Sequence, residues 1–198
     1  MKVIFLELFE TMVTNRTQNQ LTQINTGAAG SAGEYYALSN FIRMGYIAGK
    51  APEGTALYDL IVMTPNGYSF APVQVKTVTN GEHWLMRQSH ETSASNLIFC
   101  FVKFGNSLHE NRIFLLPSIV VCNAIRMGNE IWMALPGRDG IAHTATAMRT
   151  FKTDYSTLIA NTNNPEQHLS SQQLLFIKEH SNGWLDQYED NFDIFRTE

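Results

Sequence analysis

Four residues could do chemistry together in this sequence: Glu34, Asp59, Gln74 and Lys76. Gln74 and Lys76 lie in the run Val73-Gln74-Val75-Lys76-Thr77, where strand alternation sends both to one face and turns Val73 and Val75 to the core. Asp59 stands in the preceding run LYDLIVM, between Tyr58 and Leu60. If the two runs pair as a hairpin, its carboxylate lies beside the Gln74/Lys76 pair. Glu34 opens a helical stretch, and a helix N-terminus favours a carboxylate. One helix-borne acid and a strand-borne Asp, Gln and Lys would then converge on one edge of a sheet. Each residue also has a plain structural reading. Asp59 could be a turn-flanking acid, Lys76 a surface lysine, Gln74 a polar residue on an open strand face, and Glu34 an ordinary helix acid.

The elements that must position these residues are readable in outline. Residues 14–33 are polar and then Gly/Ala-rich, the composition of a flexible lead-in. From Glu34 to Met44, Tyr36, Ala37, Phe41 and Met44 recur at helical spacing, and Gly45 supplies a stop. Two β-rich runs, 57–63 and 68–78, flank Thr64-Pro65-Asn66-Gly67 and predict a hairpin. Pro72, which cannot donate to a ladder, belongs near the start of the second strand or at a bulge. The apolar run 97–104 predicts a strand buried on both faces. A short strand at 113–116, a helix from Pro117 to Arg126, a last strand at 131–135 and a helix at 170–180 complete the reading. The expected fold is α/β with a mixed sheet.

Past the lysine strand, Trp84, His83, Arg87, Gln88 and His90 could wall the site or touch a nucleic-acid backbone. Alternatively, Trp84 packs against the end of the sheet. The Gly/Ala run 27–33 precedes a helix but follows no strand and lacks a Gly-Lys-Ser/Thr ending, so it does not read as a nucleotide loop. The six histidines do not fall at metal-ligand spacing, and no G-x-S-x-G elbow marks a serine nucleophile.

The pattern GEYYALSNFIRMGYIAG, YDLIV, a Gly-containing turn and VQVKT, continuing loosely into NLIFCFVKF and IFLLPS, resembles the PD-(D/E)XK nuclease superfamily over about residues 33–120. The resemblance implies a restriction-endonuclease-like mixed sheet flanked by helices. It implies a nuclease-like domain over 1–160, with its core at about 33–136, and a C-terminal helical, acidic extension over 161–198. It further implies Asp59 and Gln74 as ligands of Mg²⁺ or Mn²⁺, Lys76 as the lysine of the motif and Glu34 as the helix acid. Lys76, Trp84 and Arg87 would meet DNA. Two positions depart from the pattern. Tyr58 replaces the proline, which has no chemical role, and Gln74 replaces an acid. An amide oxygen can ligate Mg²⁺ but brings no charge, so metal affinity should fall. Gln recurs at this position in some members, homing endonucleases among them. The implied activity is phosphodiester hydrolysis by a metal-dependent DNA endonuclease of restriction-like or homing-like kind. A catalytically weakened nuclease-fold module for nucleic-acid binding or assembly is the alternative. A third reading is a small-molecule enzyme or immunity-type binding protein on another α/β fold.

Composition bounds these readings. With 198 residues, 44% hydrophobic and 16% charged, the chain can bury a core of its own and is not disordered overall. Cys100 and Cys122 both sit in apolar runs, as small buried hydrophobes in a reducing compartment. Residues 1–13 are interrupted by Glu7 and Glu10 and fall short of a membrane span, so a cytoplasmic protein is expected and the sequon at Asn15 is a chance match. The net charge of −4 is a property of the tail: residues 179–198 hold six acids against one Arg, leaving 13 basic and 12 acidic residues elsewhere. A nearly neutral body neither supports nor opposes a DNA partner. Cutting both strands of a duplex needs two sites or two visits, so a homodimer is compatible. Trp184, Tyr188, Phe192 and Phe195, spaced by 3 and 4, could form its face or dock on the chain's own core.

Overall fold

The computed structural model describes residues 25–195 except 53, 55–57, 80 and 138–139. Among the described residues the strands are β1 (Ile47–Lys50), β2 (Leu60–Met63), β3 (Phe70–Thr79), β4 (His83–Arg87), β5 (Ile98–Phe104), β6 (Arg112–Pro117) and β7 (Met148–Lys152). The α-helices are α1 (Thr26–Arg43), α2 (Ser118–Ala134) and α3 (Ser171–Glu179). A five-stranded sheet runs in the order β1-β2-β3-β5-β6, and β4 pairs with β7 in a separate two-stranded sheet. The larger sheet is mixed, because β3 and β5 are parallel while the other neighbours are antiparallel. The chain is therefore a mixed α/β protein with its central sheet flanked by helices.

The parallel β3–β5 register sets the two faces. Val73, Val75, Ile98, Cys100 and Val102 bury toward α1, where Phe41 meets Phe192 and Phe195 edge-on at 5.4 and 5.3 Å. Phe99 and Phe101 bury on the opposite face with Trp84, Phe151, α2 and α3. Phe101 and Phe151 stack at 4.2 Å, which joins the small sheet to the large one. β5 thus packs apolar side chains on both faces, as its unbroken apolar run predicts. Cys100 and Cys122 are buried and free.

Several expectations need correction. The helix begins at Thr26 rather than at Glu34, with the Asn25 side chain accepting from the Ala28 N–H at 2.8 Å. Residues 26–33 are therefore helix rather than flexible lead-in, and 1–24 lie outside the described residues, with the expectations for the N-terminal run and the Asn15 sequon. Glu34 sits more than two turns into α1, so the helix N-terminus cannot be what favours it. The strand expected at 131–135 is instead helix: Val121, Ala124, Ile125, Gly128 and Ile131 keep helical spacing, and α2 runs on to Ala134. β1, β4 and β7 are additional strands. The hairpin, β5, β6 and the helix capped by Ser170 stand where expected. Pro72 pairs with Ile61 inside β3, but the β5 ladder begins only at Val73, so its missing N–H breaks no bond on that side.

The C-terminal aromatics pack on the chain itself. Trp184 belongs to the core with Phe151 and Tyr155, and Phe192 and Phe195 fill the core under α1. Arg112 of β6 holds this segment with a bidentate bond to Glu189 at 2.6 and 2.7 Å and a third bond to Asp186 at 2.9 Å. No helix among the described residues is long and apolar enough to cross a membrane.

Candidate functional site

The site lies where β2 and β3 part. β3 pairs with β2 only as far as Val73, then continues to Thr79 with β5 alone. Asp59 stands one residue before β2, and its backbone N–H still donates to Val73 O at 2.9 Å. Its side chain fills the gap that follows. Oδ2 accepts the Val75 backbone N–H at 2.7 Å and the Gln74 Nε2–H at 2.8 Å. The carboxylate thus takes the place of a missing strand partner for Val75, which is a structural role independent of any chemistry. It also fixes the Gln74 amide: a carboxylate can only accept, so Nε2 faces it and Oε1 turns away.

Burial dominates the electrostatics. It raises the Asp59 carboxyl above its ordinary value, helped by the charge of Glu34 and opposed by the Val75 and Gln74 hydrogen bonds and by Lys76. Burial lowers the Lys76 ammonium, Asp59 opposes that shift, and Arg87 adds to it. Each group therefore feels the other, and both are held away from ordinary titration by loss of water. Glu34 belongs to this field but spends its carboxylate on Lys50, at 2.7 Å.

Arg87, at the end of β4, acts on Lys76 through space. Trp84 does not reach the site surface: it is 2% exposed, its indole N–H donates to Val102 O at 3.1 Å, and its ring lies 5.0 Å from Phe101. The expectation that it touches nucleic acid is corrected on that ground, since alternation along β4 turns Trp84 and Met86 inward and Arg87 outward. His90 is a neighbour that the sequence placed only loosely. Its Nδ1 accepts the Arg87 backbone N–H at 2.9 Å, so a neutral ring carries its proton on Nε2. Burial and the charge of Lys76 depress its protonation. No spacing signal marks it, because it sits in a turn after β4 and reaches Lys76 through the fold.

No group of three or more His, Cys, Asp or Glu residues that could hold a metal ion occurs among the described residues. The site's oxygen donors are the Asp59 carboxylate and the nearby Glu34, and the Gln74 amide oxygen would join them once the amide turns over, since Nε2 now faces Asp59. That donor set suits a hard divalent cation that keeps several of its own waters.

No protein-family model matches this chain, and no curated protein matches it. Among solved structures it is similar to a bacterial homing endonuclease, at 13% sequence identity and a TM-score of 0.39, over 78% of this chain and 95% of that chain. A likeness at this level says nothing about what the chain does.

Proposed function

We propose that the protein is a divalent-metal-dependent DNA endonuclease that hydrolyses phosphodiester bonds at the Asp59–Gln74–Lys76 site. The observation that supports this reading is the convergence of a half-buried carboxylate, an oriented amide and a half-buried amine where two strands part. Burying opposite charges is seldom the most stable way to fill such a space, and perturbed titration concentrates at working sites. Asp59 and Gln74 are the residues that would hold Mg²⁺ or Mn²⁺, with the Gln74 amide turned over so that Oε1 replaces Nε2 beside Asp59, and with Glu34 beside them once it leaves Lys50. Such a cation supplies a bound water of lowered pKa and neutralises charge at the phosphate. Lys76 orients or deprotonates the attacking water, because burial brings its Nζ closer to releasing a proton. Arg87 meets the phosphate backbone, and His90 offers Nε2–H as a neutral donor. The test is nicking of plasmid DNA with Mg²⁺ or Mn²⁺, abolished in Asp59→Ala and Lys76→Ala. No cleavage of duplex, branched or single-stranded DNA with either metal would end the catalytic reading.

One observation favours a second reading, a weakened nuclease-fold module for DNA binding or assembly. Asp59 Oδ2 is already engaged by Val75 and Gln74, and Glu34 Oε2 by Lys50. Metal titration separates the two. A working site gives a Mn²⁺-dependent rise in melting temperature that Asp59→Asn removes, by mass action. A decayed site gives none. A homodimer, if the enzyme cuts both strands as one, must use a face other than Trp184, Phe192 and Phe195, which are buried in the chain's own core.

A further inference from the structure

A cleft of about 890 Å³ lies between α2, β7 and the turns that follow β7, and neither Glu34, Asp59, Gln74 nor Lys76 lines it. Its volume falls within the range of small-molecule sites. The described lining residues include Lys152, His143 and Arg149 but no carboxylate. Arg149 is spent on Glu91. Lys152 is not: it is half-buried and reaches the Thr157 hydroxyl only at 3.4 Å. Trp132 of α2 stacks on His143 at 3.9 Å and 19°, which puts a flat aromatic wall in the cleft. Asn129, Asn161 and Asn163 add side-chain amides, each both donor and acceptor.

We propose that this cleft is a nucleotide site in which Lys152 takes the phosphate, the Trp132–His143 pair stacks the base, and the asparagine amides meet the base edge. A nucleotide is a planar ring carrying both donors and acceptors, joined to an anion. The described lining offers a complement to each part, and the one described carboxylate whose charge bears on Lys152, Asp154, accepts from the Ser156 backbone N–H at 2.8 Å. Burial holds the Lys152 ammonium below its usual range, the charge of Asp154 opposes that shift, and an arriving phosphate would oppose it further. The ligand is either a free nucleotide or one unit of a nucleic-acid strand. The second source has a physical route, since Met148 of the cleft pairs across the small sheet with Arg87, which neighbours Lys76.

The experiment is a metal-free titration of the whole chain, read by tryptophan fluorescence and calorimetry. Trp132 reports on the cleft, while Trp84 and Trp184 are buried in the core. Deoxyadenosine 5′-monophosphate should quench the emission saturably, and Trp132→Phe should remove that signal. Lys152→Ala should weaken binding about tenfold, the scale of one charge-assisted contact, while Lys152→Arg keeps most of it. Deoxyadenosine, lacking the phosphate, should bind the wild type about as weakly as the nucleotide binds Lys152→Ala. Asn161→Asp, which adds a negative charge to the lining, should also weaken binding and serves if Lys152→Ala does not fold. Tighter binding of a short oligodeoxynucleotide than of the mononucleotide assigns a strand; the reverse assigns a free nucleotide. The proposal is overturned if neither ligand binds, or if a folded Lys152→Ala binds like the wild type. No cleavage is read here, so failure leaves the Asp59 site untouched, and loss of nicking leaves this site untouched.

Discussion

Gly33 of α1 lies so close to Thr77 of β3 that a Cβ on residue 33 would stand 1.8 Å from the Thr77 Oγ1. The contact is one residue from Glu34 and one residue from Lys76. It therefore sets how near the helix acid comes to the strand that carries the lysine, and it tolerates no side chain at position 33.

Gly33→Ala should push α1 away from β3. Overpacking of this kind costs about 1–3 kcal/mol, partly offset by the better helix propensity of alanine. Urea denaturation should show a lower midpoint at unchanged slope. An unchanged midpoint would mean that the helix shifts freely and that the contact does not set the site.

The Thr77 hydroxyl is itself buried without a hydrogen-bond partner among the described residues. Thr77→Val keeps the shape and removes the unpaired oxygen, so it should stabilise the protein by about 1 kcal/mol. A fall in the denaturation midpoint would show that the hydroxyl has a partner after all.

Lys76 and Asp59 give stability opposite pH dependences. Because the Lys76 ammonium is held below its ordinary 10.5, the unfolded chain binds more protons than the folded one just below that pH. Stability then rises with pH through that window. Lys76→Met, which cannot titrate, should be more stable than the wild type at neutral pH and lose its advantage as pH approaches 10.5. Asp59 is raised above 3.8, so the folded state binds the extra proton and stability falls as pH rises through its window. Melting curves across pH read both, and a constant difference between Lys76→Met and the wild type would refute the first.

Lys50 holds Glu34 in an ion pair at 2.7 Å. Lys50→Ala should release that carboxylate to the site and enlarge the Mn²⁺-dependent rise in melting temperature. If the rise is unchanged, Glu34 takes no part in holding the cation.

The tail is held by charge as well as by packing. Arg112 binds Glu189 and Asp186, and these carboxylates hold its guanidinium more firmly protonated. The side chain is 39% exposed, so Arg112→Ala should cost only about 1 kcal/mol, less in high salt. Phe195→Ala should cost about 3–5 kcal/mol, because it opens a cavity under α1. Equal effects for the two would overturn this division.

What the sequence disclosed followed from strong local signals. The Asn-Gly turn gave the β2–β3 hairpin, the run LIFCFVKF gave β5, and the stretch from Ser170 gave α3. Asp59 beside Gln74 was legible for the same reason, since the hairpin register follows from the turn. β7 was not legible. Its inward positions are Arg149 and Phe151, and a buried arginine reads as polar until its partner Glu91, far away in sequence, is known. Residues 131–135 misled because a short apolar run is the same for a strand and for the end of a helix. Trp84 and His90 could not be sorted, because their roles depend on how β4 faces β5, a long-range property.

The pairing of β4 with β7 has a consequence in time. Every residue proposed for the Asp59 site lies between 34 and 90, and β5, which completes the ladder beside β3, ends at 104. His83, however, must wait for Lys152 before the small sheet can close. Contacts of such separation are the slow ones to form, because the entropy of closing the intervening loop precedes any gain. The hairpin should therefore order first in refolding, and the cleft beside β7 last, so that pulse-labelled amides of β2 and β3 gain protection before those of β7.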